Sequence, residues 1–178
     1  EEIKIDNAVI LKRVTTNTCN VIVYEKDKSV YLNYQYKDSS KDIYLFNRET
    51  FGFVDLKYSK EHNKLYLIGN LFTSSLDIYI GEFNLNGILL NEKIFKGNGV
   101  DNVCNMHITS NVIFLTGYTT SIDGDFNHTG YLEDSFIFKI DIRTFEIIKY
   151  LNLGITGNDY IKTSAYLESL YVIKHSYD

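Results

Sequence analysis

The densest run of potential ligands in the chain is Asp123-Gly124-Asp125-Phe126-Asn127. Hard cations such as Ca²⁺ take several oxygen ligands from a tightly turning backbone. Asp123, Asp125 and Asn127 stand at alternate positions and offer three such oxygens, with Gly124 easing the turn. Ca²⁺ is therefore the one cofactor the residues suggest. The loop lacks the Asp-x-Asp-x-Asp-Gly order and the twelfth-position Glu of an EF-hand. Asp and Gly are also the ordinary residues of turns, so a plain structural loop is the competing reading. Phe126 lies within this segment, and Tyr118 and Tyr131 flank it. As exposed loop aromatics they would be the candidate contacts for a protein or glycan ligand.

Other reactive residues form no catalytic pattern. Asp101, Asp123, Asp125, Glu133, Asp134 and Asp159 allow many carboxylate pairs of the kind a glycosidase uses, without singling one out. Asp101 and Asp159 follow similar Gly-rich corners, which favours turn capping. His62, His107, His128 and His175 are scattered, with no HxH or HExxH spacing. Cys19 and Cys104 lie outside any CxxC pair, so a zinc site of ordinary spacing is excluded and buried free thiols are expected. Asn127-His128-Thr129 is a glycosylation sequon, a triplet frequent by chance. Gly97-Asn98-Gly99 lacks the third glycine of a dinucleotide fingerprint, and no G-x-S-x-G elbow occurs.

The elements that must position these residues are strands. Tyr (15) and Phe (11) are abundant and favour pleated, half-buried surfaces. One strand pattern recurs four times: Val30-Tyr31-Leu32, Leu65-Tyr66-Leu67-Ile68-Gly69, Ile113-Phe114-Leu115-Thr116-Gly117 and Leu170-Tyr171-Val172-Ile173. The first three lead to Ser/Thr-rich loops, then to a second strand opening at Asp42, Asp77 or Asp134 and ending at Asn47, Asn84 or Asp141. Gly-rich corners at 97–101 and 154–159 lead to a further strand, in one of which Cys104, Met106 and Ile108 alternate. Cys19-Asn20 stands where Cys104-Asn105 stands, which places the two cysteines in equivalent, non-adjacent copies.

Short strands with turns every 8–12 residues, repeating at roughly 45 residues, predict an all-β fold of about four antiparallel blades, β-propeller-like. The whole of 1–178 reads as one repeat domain, with approximate units 7–47, 48–84, 85–141 and 142–178 plus 1–6. Residues 1–6 resemble the second strand of a unit, so pairing of residues 2–6 with 170–176 is expected to close the ring and remove two sheet edges.

The run from Gly117-Tyr118-Thr119 through Asp123-Gly124-Asp125 to Phe136-Ile137-Phe138-Lys139-Ile140-Asp141 resembles the propeller-type repeats of bacterial secreted and surface proteins. The match covers about 25 residues well and the two Gly-rich corners in part. The frequent Trp of that family is missing, and the segment from Asp42 to Asn63 is too short for four strands. The resemblance implies an extracytoplasmic or cell-surface, mostly non-enzymatic protein.

Net charge is −5 and no Lys/Arg cluster stands out, which disfavours nucleic acid and anionic membranes as partners. No apolar run approaches the ~18 residues of a spanning helix, and no signal peptide opens this chain. The reading that follows is a non-catalytic, secreted or surface-displayed interaction module for a protein or glycan. The alternatives are a carbohydrate-active or other hydrolase on a propeller scaffold, and a structural repeat segment of a longer surface protein.

Overall fold

The computed structural model describes residues 5–127, 133–153, 158–166 and 169–177, the last two stretches through their backbone. Among the described residues there is no helix, and the strands run as consecutive antiparallel meanders. The first sheet is β1 (Val9–Thr15), β2 (Asn20–Lys26), β3 (Ser29–Gln35) and β4 (Ser40–Asn47). The second is β5 (Phe51–Ser59), β6 (Lys64–Phe72), β7 (Leu76–Asn84) and β8 (Leu89–Phe95). The third is β9 (Asp101–Ile108), β10 (Val112–Thr119), β11 (Asp134–Asp141) and β12 (Ile147–Asn152). A two-stranded sheet of β13 (Asn158–Tyr166) and β14 (Ser169–Tyr177) follows. β8 pairs with β7, so the approximate unit division at 84/85 runs through the turn between them.

The position of a strand within its sheet explains its sequence. Second and third strands are buried almost throughout, as in β6, β7, β10 and β11. Their alternate residues enter different cores. Leu65, Leu67, Tyr79 and Phe83 pack with Val21, Val23, Val30, Leu32 and Tyr34 of the first sheet. Tyr66, Ile68, Ile78 and Ile80 of the same two strands pack with Val103, Met106, Ile113, Leu115, Phe136 and Phe138 of the third. Phe114 and Ile137 turn to the opposite face of the third sheet, the side on which β13 packs. Fourth strands β4, β8 and β12 are largely exposed. First strands converge, β5 against β1, β9 against β5 and β13 against β9.

Each of the first strands β1, β5 and β9 carries a β-bulge, at Leu11, Val54 and Cys104. An extra residue locally bends a strand and sharpens its twist. The residue before each bulge pairs with Tyr24, Gly69 or Gly117. This register puts β2, β6 and β10 in equivalent places and corrects the expected equivalence of the Tyr31 strand. Tyr31 lies on β3, the third strand of its sheet, whereas Tyr66, Phe114 and Tyr171 lie on second strands. The physical reason is that second and third strands are both buried on two faces, so both read as an aliphatic run with an aromatic. A pattern alignment slides from one to the other at no cost.

The cysteines need the same correction. Cys19 is buried in the β1–β2 turn, and Cys104, as the bulged residue of β9, is exposed. The bulge breaks the expected alternation, leaving Val103 and Met106 as the buried pair.

Asn47, Asn84 and Asp141 share a role. Each accepts, through Oδ1, the N–H two residues ahead, from Glu49 (2.9 Å), Asn86 (3.0 Å) and Arg143 (2.8 Å). These are Asx turns that reverse the chain after a strand. The expected pairing of residues 2–6 with 170–176 involves residues 2–4, which lie outside the described residues. Ile5 and Asp6 precede β1 and belong to no strand.

Gly69 and Gly117 lie opposite bulges where the facing backbone comes close. A Cβ on Gly117 would collide with the Asn102 carbonyl, while one on Gly52 would meet nothing nearer than 3.8 Å. Gly117→Ala is expected to destabilise the protein by about 2 kcal/mol or more through forced backbone displacement, and Gly52→Ala to change stability by under about 1 kcal/mol. Urea denaturation of the two variants checks the contrast.

Candidate functional site

The Asp-Gly-Asp segment lies against the corner that joins β8 to β9. Asp123 Oδ1 accepts the Asn98 N–H at 2.8 Å, and Asp125 Oδ2 accepts the Lys96 N–H at 3.0 Å. The Asp125 N–H donates in return to the Lys96 carbonyl at 3.0 Å. Gly124 has φ +64, and a Cβ there would strike the Lys96 carbonyl, so the residue is fixed by conformation and space. Thr120 Oγ1 and Ser121 Oγ accept from the Val100 and Gly99 N–H groups, each at 2.8 Å. The loop thus satisfies nearly every donor of a corner that has no ladder partner. Asn127 is exposed at its end. Among the described residues no group of three or more His, Cys, Asp or Glu is placed to hold a metal ion.

Beneath this loop Asp101 is wholly buried. It accepts from Thr119 Oγ1 at 2.5 Å, Ser121 Oγ at 2.9 Å and the Gly97 N–H at 2.9 Å. Burial raises its pKa above the usual carboxylate range, against the pull of these three donors. Asp77 is the counterpart on the second sheet, accepting from Thr73 Oγ1 at 2.5 Å and Ser75 Oγ at 2.9 Å. Asp134 pairs across β10–β11 with Thr119 and accepts from Asn152 Nδ2 at 3.2 Å. Three buried carboxylates therefore stand at the same ends of neighbouring sheets, each tied to a turn or an adjacent strand.

The expected ligand-contacting aromatics separate. Phe126 is a correction: it is wholly buried, its ring 5.2 Å from Phe136 and 5.0 Å from Phe138. A loop residue facing an apolar core gains about 2 kcal/mol or more by entering it, and Phe126 closes the outer end of the core between the second and third sheets. Tyr118 is half-buried on β10, with its Oη taking the Asn102 Nδ2–H at 2.5 Å. Asn102 in turn receives Asn70 Nδ2–H at 2.7 Å, and Asn70 Oδ1 takes the Val103 N–H at 2.8 Å. Tyr118 thus belongs to a polar ladder that joins two sheets. Tyr131, His128 and Thr129 lie outside the described residues, as do the side chains of Asp159 and His175. Glu133 is half-buried before β11. His62 sits in the β5–β6 turn, with Nε2 2.6 Å from the Ser110 carbonyl, and links it to the β9–β10 turn.

A second feature escaped the residue patterns. An open cleft of about 230 Å³ lies between the first and second sheets, lined by Ile43, Tyr44, Leu45, Phe46, Tyr79, Phe83, Gly87, Leu89 and Glu92. Its base is an aromatic cluster in which Phe46 stacks on Phe51 at 4.3 Å and meets Tyr79 edge-on at 4.9 Å. Tyr79 Oη donates to Glu92 Oε2 at 3.0 Å. At the other end Tyr36 Oη donates to the Leu85 carbonyl at 2.6 Å, and Lys41 Nζ to the Asn86 carbonyl at 3.0 Å, holding the β7–β8 turn against the first sheet. The one trace of this cleft in the sequence is the unusual apolar content of outer strands, such as Tyr44 and Leu89.

No protein-family model matches the chain, and no curated protein matches it. Among solved structures it is similar to the Pyrococcus horikoshii acylaminoacyl peptidase, with a TM-score of 0.60 and 14% identity over 93% of this chain and 28% of that one. The fold is propeller-like. At this identity the likeness is one of fold alone, and the chain spans little more than a quarter of the peptidase's length.

Two outcomes test the loop. Asp123→Ala with Asp125→Ala removes two charge-assisted bonds and is expected to cost about 1–3 kcal/mol, measured by thermal unfolding. The same loss in EDTA and in millimolar calcium identifies a corner clamp. A calcium-dependent rise in Tm that the double variant abolishes identifies the cation site instead. Phe126→Ala is expected to cost about 3–5 kcal/mol as a core truncation, checked by urea denaturation.

Proposed function

We propose that the chain is a non-catalytic interaction module of four propeller-like blades, secreted or displayed at a cell surface, that binds a protein or glycan. The observation that carries this reading is the open apolar cleft between the first two sheets, bordered by exposed Tyr44 and Leu89. Apolar surface left open beside aromatic residues is the usual mark of a binding face. The employment of Asp77, Asp101 and Asp134 in turn and strand bonds supports it as well. The extracytoplasmic location rests on the resemblance to bacterial surface repeats. In this reading β13–β14 belong to the fourth blade, and Ca²⁺ has a place only at the Asp123–Asn127 loop.

Two other readings keep one supporting observation each. A hydrolase on a propeller scaffold is supported by the occurrence of a similar fold within a peptidase chain. A structural segment of a longer surface protein is supported by the match of nearly all of this chain to a fraction of a longer one.

The deciding experiment presents the full chain to peptide and glycan arrays and, in parallel, to acylated peptides and p-nitrophenyl glycosides. Array binding without turnover is the expected result. Turnover that disappears in Asp101→Asn or Asp134→Asn variants of unchanged fold would overturn the module reading.

A further inference from the structure

Four consecutive residues of β4, Ile43 to Phe46, line the cleft. The bulge at Leu45 breaks the alternation of the strand, so Ile43, Leu45 and Phe46 all pack towards the core between the first two sheets, while Tyr44 meets Tyr31. Among the described residues β4 ends its sheet and its ladder joins it to β3 alone. The cleft therefore lies beside an open strand edge, with an apolar base at Phe46 and Phe83, exposed Leu89 on its border and a carboxylate at Glu92. Glu92 is exposed, with Oε2 taking the Tyr79 hydroxyl proton. The adjacent cation does not neutralise it, since Lys93 Nζ reaches 3.3 Å to Glu146 in the β11–β12 turn.

From this arrangement we infer that the cleft binds an extended peptide segment that adds to the edge of β4, lowers one apolar side chain onto Phe46 and Phe83, and sets a Lys or Arg two residues away against Glu92. The inference rests on the binding-module reading and names its partner class. Main-chain bonds to a strand edge supply affinity in this mode, and side chains at i and i+2 on one face supply selectivity. The charge fits, because a cation beside a carboxylate at a partly desolvated rim is favoured where an acidic residue is repelled. A glycan would satisfy the aromatic base and donate hydroxyls to the carboxylate, and would leave the strand edge unused. The bulge at Leu45 limits the pairing to a short segment.

The test is fluorescence polarisation with the full chain and three end-capped, fluorescein-labelled peptides. The first is Ser-Thr-Leu-Thr-Lys-Thr-Ser. The second carries Glu in place of Lys. The third has the first sequence with N-methyl groups on alternate amides, which removes ladder donors. Saturable binding of the first is expected, about tenfold or more weaker for the second and third, with Glu92→Lys inverting the preference between Lys and Glu. Glu92→Gln, a milder change, is expected to erase that preference with an unchanged circular dichroism spectrum. Equal affinity for all three peptides, or no binding by a folded chain, would overturn the assignment. A concentration-dependent dimer in sedimentation that Glu92→Lys dissociates would also overturn it, by assigning the cleft to a second copy. Array binding elsewhere on the chain would leave the module reading standing when this one fails, and turnover would remove the module reading whatever the peptides do.

Discussion

An antiparallel sheet whose middle strands are apolar on both faces cannot be satisfied by a single neighbour. Most antiparallel sheets leave one face to water. Here Leu65 and Leu67 of β6 enter one core while Tyr66 and Ile68 enter the next. The second sheet is therefore sandwiched, and a meander of four strands returns the chain to where the next sheet begins. The serial stack, the convergence of the first strands and the exposure of the fourth strands all follow from that demand. It also explains why the bulges recur. Sheets packed face to face around a common inner side must twist strongly, and a bulge in the innermost strand supplies the twist. Gly69 and Gly117 admit the facing backbone at that point.

The same constraint decides where the polar residues go. Chain reversals between sheets leave N–H groups without ladder partners, and an unpaired buried donor costs about 1–3 kcal/mol. Asp101, Asp123, Asp125, Thr120 and Ser121 answer this at the Lys96–Val100 corner, where nearly every donor meets a side-chain oxygen. Within the second sheet, Asp77 accepts the Thr73 and Ser75 hydroxyls and so ties the β6–β7 turn through side chains. Residue types that suggest chemistry when read along the chain thus act together as the joinery of the corners. Their polarity is engaged within the fold, while an open cleft between the first two sheets is lined mainly by apolar side chains. It lies where the first two sheets diverge towards their outer strands.

Much of the fold was legible in the residues themselves. Alternation and aliphatic–aromatic runs depend on local pleat geometry and burial, so the strands, their antiparallel succession and the all-β class could be read directly. The Asx turns at Asn47, Asn84 and Asp141 were visible as recurring positions for a similar reason, because their bonds close within two residues. Register within the repeat was not legible. Val30-Tyr31-Leu32 and Leu65-Tyr66-Leu67 share a burial environment while occupying third and second places in their sheets. Burial environment is what a local pattern records.

What only the tertiary structure decided concerns contacts across large separations in sequence. Phe126 reads as an exposed loop aromatic until its neighbours Phe136, Phe138 and Tyr150 are placed around it. Asp123 and Asp125 read in the sequence as cation ligands or turn residues, and only the fold brings to them the N–H groups of a corner 25 to 29 residues earlier. The cleft is built from Ile43–Phe46 of one sheet and Tyr79 to Glu92 of the next, and nothing local to either segment announces it. The sequence by itself determined strand, turn and class, since those follow from short-range stereochemistry and the period of burial. Which side chains are spent in the interior and which face a partner depends on how sheets stack, and stacking is set by surfaces that meet only after the chain has folded.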